Sequence, residues 1–217
     1  MQDKKYTFEE LQAIIRTLRK RCPWDSVQTH ASLKNCLVEE AYEVLEALDL
    51  CDGAKMADEM GDLLMQILLH AEIGEEAGEY TFSDVCDALA HKMVRRHPAI
   101  FSPGSEAESW DEIKKKEKNL ASETEILENI SKYLPALQIS MKFSQKMRKW
   151  GKEEENISRY LEKIEENLQN IEETQDATDA QIGAILYAVS GICGLSNRSP
   201  ELILNNFLEN FAKTLEK

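Results

Sequence analysis

Glycine and proline are scarce, 9 and 5 in 217 residues, and turn-rich β-sandwiches and barrels use many of both. That scarcity argues against such folds and for long helices. Paired cysteines are missing as well. Cys22, Cys36, Cys51, Cys86 and Cys193 are odd in number, widely spaced and form no Cys-x-x-Cys, so neither a disulfide framework nor a zinc site is indicated. They read as reduced packing thiols. No long hydrophobic run is present: Leu63 to Leu69 is interrupted by Gln66 and falls far short of the ~20 apolar residues of a bilayer span. The opening MQDKKYTFEELQ has no apolar signal core, so the expectation is a cytoplasmic protein with no membrane partner. Positive charge is outnumbered, 26 Lys and Arg against 40 Asp and Glu for a net −14, and stable nucleic-acid binding by phosphate neutralisation is not expected. A cation, or a substrate carried by one, suits this chain better.

What is present is helical periodicity. Residues 7–21 open with Thr7 and Glu10 in a capping-box pattern and continue with Leu11, Ile14, Ile15 and Leu18 at helical spacing. A second helix is expected over about 31–49, with Leu37, Ala41, Val44, Leu45 and Leu48 as its apolar stripe. A third, over about 54–77, carries Met60, Leu63, Leu64, Met65, Ile67, Leu68 and Leu69 around nearly its whole circumference, the mark of a buried helix. A turn is expected from Gly74 to Tyr80, a fourth helix over 82–95, a loop from His97 to Gly104, and an acidic linker near 119–128. The fold class is all-α, a helical bundle.

The two halves match each other. LVEEAYEVLEAL (37–48) falls opposite KIEENLQNIEET (163–174), and EMGDLLMQI (59–67) opposite QIGAILYAV (181–189). This reads as a duplicated helical unit, residues 1–120 and 121–217, whose second copy keeps the apolar positions and loses the charges. Gln169 replaces Glu43, Gln181 replaces Glu59 and Ala184 replaces Asp62. The second copy is therefore expected to be noncatalytic and to serve packing or dimerisation.

The first copy carries the chemistry. Glu39, Glu40 and Glu43 lie on one side of the second helix, assigned opposite its apolar stripe, and alone they fit a solvated acidic face. Glu59 and Asp62, three apart in a helix read as buried, would be costly there without compensation. Matched acidic pairs on successive helices are explained by a shared divalent cation. No Glu-x-x-His accompanies them, and all-oxygen ligation favours Mg2+ or Mn2+ over zinc, copper or iron. Lys92, Arg95, Arg96 and His97, then Lys114, Lys115, Lys116 and Lys118, offer positive charge for phosphates; helix-dipole compensation is the competing reading. Trp110 suits either stacking on a base or anchoring a loop. His70 lies one line along the helix from Asp62 and Gln66 and reads as a packed histidine before a site residue.

Five motifs occur together: CPWDSVQTH (22–30), VEEAYEV (38–44), DEMGDLLMQ (58–66), KMVRRHP (92–98) and WDEIKKKEK (110–118). In this the chain resembles the MazG-type nucleoside triphosphate pyrophosphohydrolases of the all-α NTP pyrophosphatase superfamily. The resemblance implies hydrolysis of an NTP or dNTP to monophosphate and pyrophosphate, in nucleotide-pool housekeeping, by a homodimer. By position it assigns magnesium to Glu40, Glu43, Glu59 and Asp62. Glu39 and Glu43 become the catalytic carboxylates, Glu39 completing the acidic motif and orienting the attacking water. Lys92, Arg95 and Arg96 would bind the triphosphate, with Trp110, Lys114 and Lys118 nearby. A narrower substrate of the same superfamily, such as dUTP, dCTP or phosphoribosyl-ATP, and a noncatalytic helical interaction protein are the alternatives.

Overall fold

The computed structural model describes residues 4–102, 110–117, 122–153 and 156–215, and every regular element among them is a helix. The chain divides into two compact units, residues 1–108 and 109–217. The basic segment around Trp110 thus falls in the second unit, whereas the sequence places the division at 120.

In the first unit the order is α1 (Phe8–Arg21), a 3-10 turn (Asp25–Val27), α2 (Lys34–Leu50), α3 (Gly53–Ala77), α4 (Phe82–Arg96) and the short α5 (Pro98–Phe101). Capping residues set most of these starts. Thr7 and Glu10 form the expected capping box on α1, Thr81 and Asp84 form another on α4, and the Asp52 carboxylate accepts from the Ala54 and Lys55 amides to start α3. α2 ends on Cys51 in the left-handed region at φ 53°, so the chain reverses in two residues and α2 and α3 form an antiparallel hairpin.

α1 packs across α3, and Ile15, Leu33, Leu68, Leu69 and Ile73 form the core, with Leu11, Cys36, Leu64, Met65 and Phe82 around it. Charged ties hold the same junction: Arg16 bridges Glu72 and Glu75 at 3.1 Å each. Arg19, nearly buried, pairs with Glu76 at 2.8 Å and donates to the Asp25 and Gln28 carbonyls. α4 also packs on α3.

Three expectations are corrected here. α3 is buried only over its C-terminal half, Gln66 to Gly74, while Met60 is 51% exposed; the core gathers where α1 and Leu33 cross it, and the N-terminal half lies beyond that crossing. The turn expected from Gly74 begins later, because α3 continues through Ala77 and stops on Gly78 at φ 68°. Gly74 is instead a point of close approach, where a Cβ would lie 2.7 Å from the Tyr80 ring. Residues 98–101 and 123–128, expected as loop and linker, are short helices, the latter started by a Ser122–Glu125 capping box.

The second unit contains α6 (Trp110–Glu117), α7 (Glu123–Glu128), α8 (Ala136–Lys149), α9 (Ile157–Thr174), α10 (Asp179–Leu195) and α11 (Pro200–Leu215). α8 and α9 both pack on α10, and α11 touches α8 and α10. Its interior combines the apolar Met141 and Ala188 with a polar cluster. The Tyr160 hydroxyl, Ser144, Glu153 and Arg148 hydrogen-bond one another at 2.7 to 3.0 Å, and the Tyr160 ring fills the space a Cβ on Gly191 would need. Burial raises the Glu153 carboxyl, but hydrogen bonds with Tyr187, Tyr160 and Ser144 and the nearby Lys163 ammonium outweigh it and hold the group below its ordinary value. Among the described residues no single helix is long and apolar enough to cross a membrane.

Candidate active site

The carboxylates converge on the α2–α3 hairpin. Oxygens of Glu40 and Glu43 from α2 and Glu59 from α3 lie within 4.8 Å of one another. Asp62, one turn beyond Glu59, adds to the same field, since its charge acts on both Glu40 and Glu59. Glu40, Glu59 and Asp62 are half-buried, and Glu39 and Glu43 are exposed.

The acidic face of α2 is not opposite its packing face, as the stripe suggested. Ala47 is fully buried and Glu40 half-buried, whereas Leu37 and Leu48 of the apolar stripe are exposed. Residues 33, 36, 40, 43 and 47 follow helical spacing. Ala47 and Glu40 thus place this line on the packed side of α2.

The electrostatic cost of that placement is visible. Burial, then the charges of Asp62 and Glu43, push the Glu40 carboxyl above its ordinary pKa, against a lowering by Gln66. Burial and Glu43 do the same at Glu59, while Lys55 pulls the other way. Lys55 itself is held by Glu46 at 2.7 Å. Such a set is electrostatically unbalanced alone and well suited to a hard divalent cation.

Behind the carboxylates lies the polar line Asp62, Gln66 and His70 on α3, whose spacing is visible in the sequence; what the sequence does not reveal is the burial and bonding of Gln66. Gln66 is 1% exposed, donates from Nε2 to Glu40 Oε1 at 3.5 Å, and its buried Oε1 has no partner among the described residues. One turn on, His70 meets His30, their Nδ1 atoms 2.7 Å apart and the rings nearly parallel. One nitrogen must donate and the other accept. Burial, then the charge of His30, lowers the His70 pKa, and the Tyr80 hydroxyl donates to the His70 carbonyl. His70 is thus a packed, partnered histidine. The spacing 62, 66, 70 was the available signal for this line.

Lys92, Arg95 and Arg96 close α4, on the helix beside α3. Trp110 and Lys114 lie in α6, within the second unit; their side chains, and the whole of Lys118, fall outside the described residues.

Fold and site together define an all-helical protein with a clustered carboxylate centre. Residues 28–101 match the MazG nucleotide pyrophosphohydrolase domain. Over its whole length the chain is 34% identical to the nucleoside triphosphate pyrophosphohydrolase/pyrophosphatase MazG of Thermotoga maritima, covering 87% of that protein. It is 29% identical to the nucleoside triphosphate pyrophosphohydrolase of Escherichia coli K12, with 94% of this chain and 84% of that one aligned. A crystal structure of a mazG-related protein from Thermotoga maritima aligns with a TM-score of 0.42 at 29% identity, over 51% of this chain and 97% of that one. The protein belongs to the MazG family of nucleotide pyrophosphohydrolases.

Proposed function

We propose that the protein hydrolyses nucleoside triphosphates, ribo or deoxy, to the monophosphate and pyrophosphate, with Mg2+ or in its place Mn2+ at the α2–α3 seam. The observation that carries this is the meeting of Glu40, Glu43 and Glu59 oxygens within 4.8 Å on a hairpin inside the matched family domain. The donor set fits the metal: oxygen only, negatively charged, half-open to solvent, and with two carboxyl pKa values raised by burial and neighbouring charge. Glu40, Glu43, Glu59 and Asp62 would hold it. Bound there, the ion supplies charge neutralisation for the phosphate oxygens.

The chain's own groups do the rest. Glu39 and Glu43 sit four apart on one face of α2, where Glu39 orients a water and accepts its proton as the bond between α- and β-phosphates is hydrolysed. Lys92, Arg95 and Arg96 stabilise the departing pyrophosphate. Trp110, Lys114 and Lys118 complete the nucleotide site in this reading, with nucleotide-pool housekeeping as its role.

The second unit reads as a noncatalytic degenerate copy. In support, α8, α9 and α11 pack on α10 as α1, α2 and α4 pack on α3, while Gln169, Gln181 and Ala184 stand where the first unit has Glu43, Glu59 and Asp62. Its work is packing and homodimer formation in a cytoplasmic enzyme.

The test is pyrophosphate release from a panel of NTPs and dNTPs, including dUTP, dCTP and phosphoribosyl-ATP, with Mg2+ and with chelator. Release that needs Mg2+ and disappears in Glu43→Gln is expected; no release from any substrate by folded protein refutes the reading.

A further inference from the structure

Among the described residues Gln66 Oε1, His30 Nε2 and Ser140 Oγ are buried without a partner, and of these side chains Gln66 is the one that also bonds a carboxylate of the cluster. Gln66 sits in the middle of α3, 1% exposed, at the depth where the core residues Leu68 and Leu69 are packed. An amide in such a place costs stability unless both its poles are partnered. Nε2 is given to Glu40, and Oε1 finds no donor among the described residues. A methionine or leucine would pack there at no polar cost, so packing does not account for the residue.

The second unit supplies a comparison within the same chain. The alignment that sets Glu59 against Gln181 and Asp62 against Ala184 sets Gln66 against Ala188, which is fully buried in α10. Where the counterparts of Glu43, Glu59 and Asp62 are gone the amide is gone with them, although Glu166 keeps the place of Glu40, and Ala188 is fully buried there. A buried glutamine at this depth is therefore not a requirement of the repeated helical packing.

We propose that Gln66 is a positioning residue of the carboxylate centre, acting through Glu40. Its N–H holds one Glu40 oxygen from the interior side, which fixes the carboxylate's rotation about its own axis and leaves the other oxygen for the cation. Groups of this kind behind a ligating carboxylate govern affinity for the ion more than they govern the fold. The inference rests on the metal-centred reading above.

The test is Mn2+ affinity of the full chain without nucleotide, read by titration calorimetry, beside melting in chelator. Gln66→Met keeps the volume and removes the donor; it is expected to weaken Mn2+ binding about tenfold or more while melting in chelator stays within a few degrees of wild type. In a Glu40→Gln background the same substitution is expected to change Mn2+ affinity less than twofold, because the group it acts through is gone. A purely structural glutamine would give the same loss in both backgrounds, and that result overturns the proposal. So does a Gln66→Met protein that binds Mn2+ within twofold of wild type while Glu43→Gln does not bind. If Gln66→Met does not fold, Gln66→Asn, one methylene short of Glu40, takes its place with the same expectations. Wild-type protein that binds no Mn2+ at all refutes the metal reading itself, and the proposal falls with it.

Discussion

Removing a charge from the carboxylate centre should make the metal-free protein more stable, and Glu43→Gln is the cleanest way to do it. Glu43 is exposed, keeps its shape on amidation, and lies within 4.8 Å of Glu40 and Glu59 oxygens. At that separation the Glu43–Glu40 repulsion alone is worth about 1 kcal/mol in a water-like dielectric, less once salt screens an exposed group. For a protein of this size that corresponds to a rise of about 1–4 °C in melting temperature. The assay is thermal melting at low ionic strength, first in chelator and then in excess Mg2+. In chelator Glu43→Gln should melt above wild type, and raised salt should shrink the gap. In Mg2+ the order should reverse, because only wild type gains from a ligand that binds the folded state. A Glu43→Gln protein that melts lower in chelator, or that gains as much from Mg2+ as wild type, would refute the reasoning that these carboxylates are held together against their own repulsion for a cation.

Four further outcomes are expected. The Glu40 carboxyl titrates above its ordinary value in the fold, so its protonated form favours folding. That contribution is present in full below the unfolded value and is lost as pH rises through the folded one. Melting in chelator from pH 7 down to pH 5 should therefore show wild type gaining on Glu40→Gln, and parallel curves would count against the shift. Gly191→Ala should destabilise the protein by about 1–3 kcal/mol, because its Cβ would lie 2.7 Å from Tyr160 Cζ; Gly183→Ala, with open space around its Cβ, should instead add up to about 1 kcal/mol through helix propensity, and denaturant melts read both. Arg19→Ala removes a side chain that is 10% exposed and bound to Glu76 and two carbonyls, a loss of about 2–3 kcal/mol measurable by urea unfolding. Amidating Glu165 and Glu166 together should leave pyrophosphate release at the wild-type rate, since Gln181 and Ala184 stand where the first unit has Glu59 and Asp62.

Helix boundaries were the most legible part of the sequence, because side chains that satisfy end groups announce them. Thr7 with Glu10 and the Cys51-Asp52-Gly53 break were read directly, and the structure starts and stops α1, α2 and α3 within a few residues of them. The pairing of EExxE with ExxD was legible for the same reason: three- and four-residue spacing puts such groups on one face. Which face of α2 turns inward was not legible. Hydropathy ranks the Leu37–Leu48 stripe first, yet Leu37, Ala41 and Leu48 are exposed, and the buried Ala47 lies on the line of Glu40 and Glu43. Apolar content alone overstates burial along α3, because α1 and Leu33 cover only one end of it. The four-residue helix at Pro98–Phe101 is too short for any periodicity to reveal. Gln66 shares a helical line with Asp62 and His70 in the sequence, but its burial and its bond to Glu40 are tertiary facts that spacing does not carry.

The two-residue reversal at Cys51 and Asp52 has a consequence for how such a centre is gained and silenced. Every carboxylate of the cluster, and the glutamine behind it, is carried by one hairpin of consecutive residues, α2 and α3. The centre is therefore a cassette: it travels whole with a single supersecondary unit and asks nothing of distant chain segments for its ligands. Duplicating that unit would duplicate the centre, and three substitutions on its inner face would extinguish it while the apolar register that folds the hairpin went on untouched.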